Sequence, residues 1–156
     1  MKQFFSYSLI IILVIGIVSC DRKRVFESYR TLDKNGWNKD SIVSFDVTLT
    51  DTIKNNNIFV NIRNKGTYPY SNLWLFLTIC SPDGKTHTDT VEFSLAEPSG
   101  KWKGSGIGGL HDNQIVYKNS VYFPHKGIYK FQLKQGMRDN VLQGIRDIGI
   151  RVEKTY

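Results

Sequence analysis

A cysteine at position 20 stands where acyl chemistry needs one. Met1-Lys2 gives a short positive start, residues 9–18 (LIIILVIGIV) form an apolar stretch too short to span a bilayer comfortably, and Ile17-Val18-Ser19-Cys20 has the aliphatic, aliphatic, small, cysteine order of a bacterial lipobox. That order predicts a secretory signal cut between Ser19 and Cys20, with diacylglycerol joined to the cysteine sulfur and further acyl groups as the anchor. An ordinary signal peptide with an incidental cysteine is the competing reading. Charged residues following at once favour the lipobox. The other reactive side chains form no comparable pattern. Gly104, Gly106 and Gly109 satisfy G-x-G-x-x-G on paper, but Lys101-Trp102-Lys103 precedes them in place of an apolar strand and no amphipathic helix follows. A phosphate would find no helix terminus there. His87, His111 and His125 lie in separate segments, with Asp89 the one near neighbour of His87, whereas transition-metal sites cluster three or four ligands. Asp83, Glu92, Glu97 and Asp112 give no reason to pair any two across a cleft. Ser71, Ser81 and Ser105 sit in no nucleophile elbow. The expectation is no catalytic residue, no metal, no cofactor beyond the acyl groups on Cys20, and no small-molecule substrate.

What those acyl groups would hold is bounded by charge and length. Lys2 is the sole charge in residues 1–19, so cleavage lowers the formal net charge from +7 to +6. The remaining residues fit one domain with a real core. Each buried acyl methylene contributes about 0.8 kcal/mol, so several chains attach firmly. Arg22, Lys23 and Arg24 beside the anchor either add about 1 kcal/mol each against anionic headgroups or keep a tether solvated. Basic residues are otherwise scattered through an exported chain, which argues against nucleic acid. With Cys20 acylated, Cys80 has no intramolecular partner, so no internal disulfide forms and the fold rests on its core. Cys80 ends an apolar run and reads as a small buried hydrophobe.

The elements that must position any site are strands. Residues 1–19 read as the signal peptide, 20–38 as a lipidated tether that becomes ordered through Phe26, Tyr29, Leu32 and Trp37, and 39–156 as the folded domain. Val43, Phe45, Val47 and Leu49 alternate with polar residues, as do Ile58, Val60 and Ile62 after the polar turn at 51–57. Residues 73–80 (LWLFLTIC) are apolar nearly throughout. Pro82-Asp83-Gly84-Lys85 is a turn that joins them to Val91, Phe93 and Leu95 in a hairpin. A glycine-rich loop at 98–109 precedes one or two strands at 114–123. Residues 127–134 alternate, 137–144 suggest a helical turn, and Ile148, Ile150 and Val152 make the last strand. Seven to nine strands predict an all-β fold, an antiparallel β-sandwich of jelly-roll or Ig-like type.

The aromatic residues carry the sharper functional signal. In the 73–80 strand, Leu73, Leu75, Leu77 and Ile79 take one face, and Trp74, Phe76, Thr78 and Cys80 the other. The aliphatic set is expected in the core. Trp74 and Phe76 then face either the tether aromatics Phe26, Tyr29 and Trp37, or a partner. Tyr68 and Tyr70 lead into this strand and Trp102 stands at the base of the glycine loop, so Tyr68, Tyr70, Trp74, Phe76 and Trp102 are the candidate partner-binding residues. The alternative is a glycan-binding surface lipoprotein, with Trp37, Trp74 or Trp102 as a sugar-stacking platform.

Several segments together resemble one family, the gliding-motility lipoprotein GldH of Bacteroidota. They are Arg24-Val25-Phe26-Glu27-Ser28-Tyr29, Trp37 with Lys39-Asp40, Thr67-Tyr68-Pro69-Tyr70-Ser71-Asn72-Leu73, Pro82-Asp83-Gly84-Lys85, Leu95-Ala96-Glu97-Pro98-Ser99-Gly100-Lys101-Trp102, Gln135-Gly136-Met137-Arg138-Asp139 and Asp147-Ile148-Gly149-Ile150-Arg151-Val152-Glu153. The resemblance implies a lipid-anchored cell-envelope protein, not an enzyme, that supports gliding motility and the type IX secretion machinery through contacts with other envelope proteins. Lipoproteins of that phylum bound for the cell surface are acidic just after the cysteine, whereas Asp21 is followed here by three basic residues. The expected placement is therefore the outer membrane, facing the periplasm.

Overall fold

A computed structural model describes residues 21–155. Cys20 and the lipobox lie outside the described residues. The strands are β1 (Arg24–Thr31), β2 (Trp37–Asn38), β3 (Val43–Leu49), β4 (Asn56–Lys65), β5 (Asn72–Cys80), β6 (Thr86–Ser94), β7 (Leu110–Val121), β8 (Gly127–Gln135), β9 (Val141–Leu142) and β10 (Ile145–Lys154). The two large sheets have orders β1-β10-β4-β7 and β3-β8-β5-β6, every pairing is antiparallel, and β2 pairs with β9 as a small ribbon. Successive long strands alternate between the two four-stranded sheets, except for the β5–β6 hairpin that stays in one, which is the connectivity of a jelly roll. That order decides for the jelly roll over the Ig-like alternative.

Period-two patterning explains the core. Phe45, Val47 and Leu49 of β3, Ile58, Val60 and Ile62 of β4, Leu73, Leu75 and Leu77 of β5, Tyr129, Phe131 and Leu133 of β8, and Ile148, Ile150 and Val152 of β10 are all buried between the sheets. The aliphatic face of β5 is thus the core face, with Ile79 partly buried at its edge. The 81–85 turn forms as its residues require, with Ser81 N donating to Lys85 O at 2.8 Å and Gly84 at a φ of 84° that glycine adopts without strain.

Two expectations give way. The tether boundary at 38 moves, because Arg24–Thr31 is an edge strand paired with β10 from Arg24↔Glu153 to Thr31↔Asp147. Phe26 packs on the core, and Trp37, 2% exposed, lies within it, its Nε1 donating to Ser41 O at 3.1 Å. Alternation in β1 is masked by polar groups on its outer side: Glu27 and Tyr29 sit among Arg63, Asn61 and Arg151. The helical turn expected at 137–144 is instead the β9 strand and its flanking turns, held by Trp37↔Leu142 and Asn38↔Val141. Gly144, at φ 88°, closes that segment against Tyr68; an added Cβ would lie 2.7 Å from Tyr68 Cα.

All strands run between the same two ends. The start of β1, the 50–55 and 81–85 loops, the 122–126 loop and Thr155 share the end next to Cys20: Lys154 N donates to Lys23 O and Thr155 N to Asn55 O, each at 2.9 Å. The 66–71, 95–109 and 136–144 segments share the far end. The ten residues of β4 separate the two by about 30 Å. Among the described residues no helix is long and apolar enough to cross a membrane.

Candidate partner-binding surface

Because β5 keeps its register with both neighbours, its second face is presented on the outside of the sheet. Trp74 stands opposite Glu92, Phe76 opposite Thr90 and Lys134, Thr78 opposite Thr88 and Gln132, and Cys80 opposite Thr86 and Lys130. Trp74 is 37% and Phe76 42% exposed. The tether does not cover them, since Phe26 packs on the core, Trp37 lies within it and Tyr29 lies beneath Arg63 on the other sheet, with the guanidinium carbon 5.4 Å from its ring centre. A threonine ladder continues the face, with the Thr78 and Thr88 hydroxyls 2.8 Å apart. Cys80 is half-buried on this outer face, its Sγ 3.9 Å from Gln132 Oε1, and so is not a core residue.

The segment after β8 shapes one wall. Gly136 N donates to Trp74 O at 2.7 Å, and Met137 Sδ lies 3.3 Å from Trp74 N. Gln135, buried, accepts from Met137 N at 2.8 Å and donates to Asp139 O at 2.7 Å. A Cβ at Gly136 would be 3.3 Å from the Phe76 ring, so a small residue lets this segment run beside the two aromatics. The result is a groove of about 530 Å³ bordered by Tyr70, Trp74, Met137 and Arg138.

Tyr70 ties the groove to the aromatic cluster at the far end. Its hydroxyl donates to Asp139 at 2.9 Å, and that bond raises the phenol above its ordinary pKa. Tyr68 is 4% exposed, which removes it from the set of direct contacts; its hydroxyl donates to Asn72 O at 2.9 Å, and burial pushes its pKa up. Its ring meets Tyr70 edge-on at 5.8 Å and Trp102 at 6.4 Å, and Trp102 stacks on His111 at 5.5 Å. Of the five candidates, Tyr70, Trp74 and Phe76 share one surface, Tyr68 supports it from the core, and Trp102, half-buried, stands to its side. The glycan platform loses Trp37 to the core. Met137 and Arg138 were legible only as members of a polar turn, although a glycine followed by a long apolar side chain marks a loop that folds back on a sheet.

Asp83, Asp89, Glu92 and Asp112 are engaged structurally. Asp89, midway along the edge strand β6, is gripped by Tyr117 OH at 2.5 Å, Lys118 Nζ at 2.6 Å and His87 Nε2 at 2.8 Å, and the Lys118 and Tyr117 hydrogen bonds hold its carboxyl at about 2. Asp83 accepts from Ser81 and lies near Lys85 and His125; the Ser81 hydrogen bond leads in holding it at about 2. In that order the aspartate, not the histidine, meets the serine, so no base is placed to activate Ser81. Glu92 and Asp112 border one cleft under the 103–105 segment, but Asn72 donates to Glu92 at 2.5 Å and Arg63 grips Asp112 at 2.7 Å. Among the described residues no group of three or more His, Cys, Asp or Glu side chains could hold a metal.

The family model described as GldH lipoprotein matches residues 24–152. A protein of Christiangramia forsetii named gliding motility lipoprotein GldH homolog is 39% identical over 162 aligned residues, covering 99% of each chain. The gliding motility lipoprotein GldH of Flavobacterium johnsoniae is 38% identical, covering 94% of each. Among solved structures, a family GH115 4-O-methyl-alpha-glucuronidase superposes on 88% of this chain at a TM-score of 0.44 and 12% identity; the match spans 18% of that chain and carries no functional argument.

Proposed function

The chain belongs to the GldH lipoprotein family, and from that premise we propose that it is held by acyl groups on Cys20 and supports gliding motility through contacts with other envelope proteins made by the outer face of β5. Kinship to proteins named as gliding motility lipoproteins supports a lipid-anchored place in the cell envelope and a role in motility. The observation that carries the contact surface is the pair Trp74 and Phe76, exposed side by side on a strand whose other face puts Leu73, Leu75 and Leu77 in the core, and bordered by a groove. Large apolar side chains grouped in this way mark interaction sites, and aromatic residues with arginine supply interface anchors. Tyr70, Trp74 and Phe76 are the anchors, Arg138 and Glu92 the polar rim, and Tyr68 and Trp102 brace the far end. The partners are components of the gliding or type IX secretion machinery, met on the periplasmic side of the outer membrane.

Co-purification from solubilised envelopes tests this reading. Trp74→Thr should lose a partner that the wild-type protein retains, at equal protein abundance; an unchanged partner set would remove Trp74 from the contact. Protease digestion of this protein on intact cells would contradict the periplasmic orientation.

A further inference from the structure

The end of the jelly roll beside Cys20 has its own surface character. Only residues 21–23 separate Cys20 from β1, an extended reach of about 10 Å. Even that reach is taken up: Asp21 is paired with Arg151, and Lys154 N donates to Lys23 O. A domain tied this closely has little freedom to stand away from whatever holds the cysteine. At the same end the 50–55 loop projects Ile53, 89% exposed, with Asp51 Oδ1 accepting from Ile53 N at 2.9 Å to fix the loop's shape. Tyr122, also exposed, follows β7 into the neighbouring loop. The charges around these two residues are unbalanced. Asp21, Asp51 and Asp83 are held by Arg151, Lys154 and Lys85, whereas among the described residues Arg22, Lys54 and Lys126 make no ion pair.

We infer that this end is a bilayer-facing surface: Ile53 and Tyr122 enter the interfacial region of an anionic phospholipid membrane while Arg22, Lys54 and Lys126 meet its headgroups. An apolar tip within a basic ring has the composition that binds at a membrane interface. The consequence is orientation. With this end on the lipid, the strands stand out from the membrane and carry Tyr70 and the Trp74 groove away from it, where protein partners can reach them. The inference rests on the lipid-anchored reading above and adds a docked face to it.

Site-directed spin labelling of the full acylated protein tests it. Cys80→Ser removes the remaining thiol, and Ile53→Cys, Tyr122→Cys or Ile107→Cys takes the label; Ile107, 95% exposed, lies in the far-end 95–109 segment and serves as the control. The protein is reconstituted into vesicles of phosphatidylethanolamine and phosphatidylglycerol. Labels at 53 and 122 should collide mainly with oxygen and the label at 107 mainly with a water-soluble nickel chelate. Lys54→Gln should lower the immersed-to-free ratio at position 53 about fivefold, the factor that corresponds to about 1 kcal/mol for one basic residue at an anionic surface. Nickel access at 53 and 122 equal to that at 107, in protein whose acyl mass is confirmed, would overturn the docked face and leave the anchor standing. Absence of the acyl mass would overturn both. Shielding of 53 from nickel without oxygen enrichment, seen only in native envelopes, would mean that a protein covers it and would overturn the bilayer assignment.

Discussion

Trp37→Ala separates core from surface among the tryptophans. The Trp37 ring is 2% exposed within the sandwich, on a strand of two residues whose ladder partner is Leu142. Truncating a buried tryptophan costs about 3–5 kcal/mol, and a domain of this size loses roughly 3–5 °C of melting temperature per kcal/mol. The expected drop is therefore roughly 10–20 °C by circular dichroism of the purified protein. Trp37→Phe keeps most of the ring but loses the hydrogen bond to Ser41 O, so it should cost about 1–2 kcal/mol. Trp74→Thr removes a ring that is 37% exposed on a face already lined by Thr78, Thr88 and Thr90; the area that ring buries, less what threonine still covers, represents about 2 kcal/mol. The two tryptophans should thus differ about twofold in effect. A drop below about 3 °C for Trp37→Ala would refute its core placement and restore it as a sugar-stacking candidate; a drop for Trp74→Thr equal to that of Trp37→Ala would refute the surface role of Trp74.

Three further outcomes follow from particular contacts. Gly149→Val places a Cβ 2.7 Å from Ser28 O and 3.0 Å from the Tyr29 ring, so β1 should loosen from β10, seen as faster tryptic cleavage at Arg24 and Arg30 and a loss of about 1–3 kcal/mol. Asp89→Asn should lower the melting temperature at neutral pH, with the gap from wild type closing as pH falls from about 4 towards 2: a carboxyl held below its usual value stabilises the fold above the ordinary carboxylate range and ceases to do so once it is protonated. Arg151→Met leaves Asp21, Glu27 and Glu153 facing one another, so its defect should be larger at low salt than in about 1 M salt, which screens the repulsion; equal losses at both would assign Arg151 to packing alone.

The sandwich was legible wherever one face of a strand is buried and the other wet, because alternation then writes the burial directly into the sequence, as in β3 and β8. It failed at β1, where Glu27, Tyr29 and Arg151 build a polar layer on the outer side of the sheet and the buried side carries few large residues. It also failed at β9, two residues long, whose strand character comes from Trp37 and Asn38 across the chain and not from local pattern. Exposure of Trp74 and Phe76 was an open choice in the sequence, since a tether and a partner would leave the same residues. Packing of Phe26 and Trp37 into the core closed it. Tyr68 looked like its neighbour Tyr70, yet a hydrogen bond to Asn72 O and the approach of Gly144 draw it inward. Local sequence holds no sign of a glycine that far along the chain.

The most direct test of the outer face of β5 as a partner contact is photo-crosslinking in intact cells. A photoreactive residue at Phe76 should give a discrete adduct with another envelope protein, lost in the Trp74→Thr background. The same residue at Val116, exposed on the opposite sheet, should give none. Adducts at 116 but not at 76, or an adduct at 76 indifferent to Trp74→Thr, would contradict the assignment.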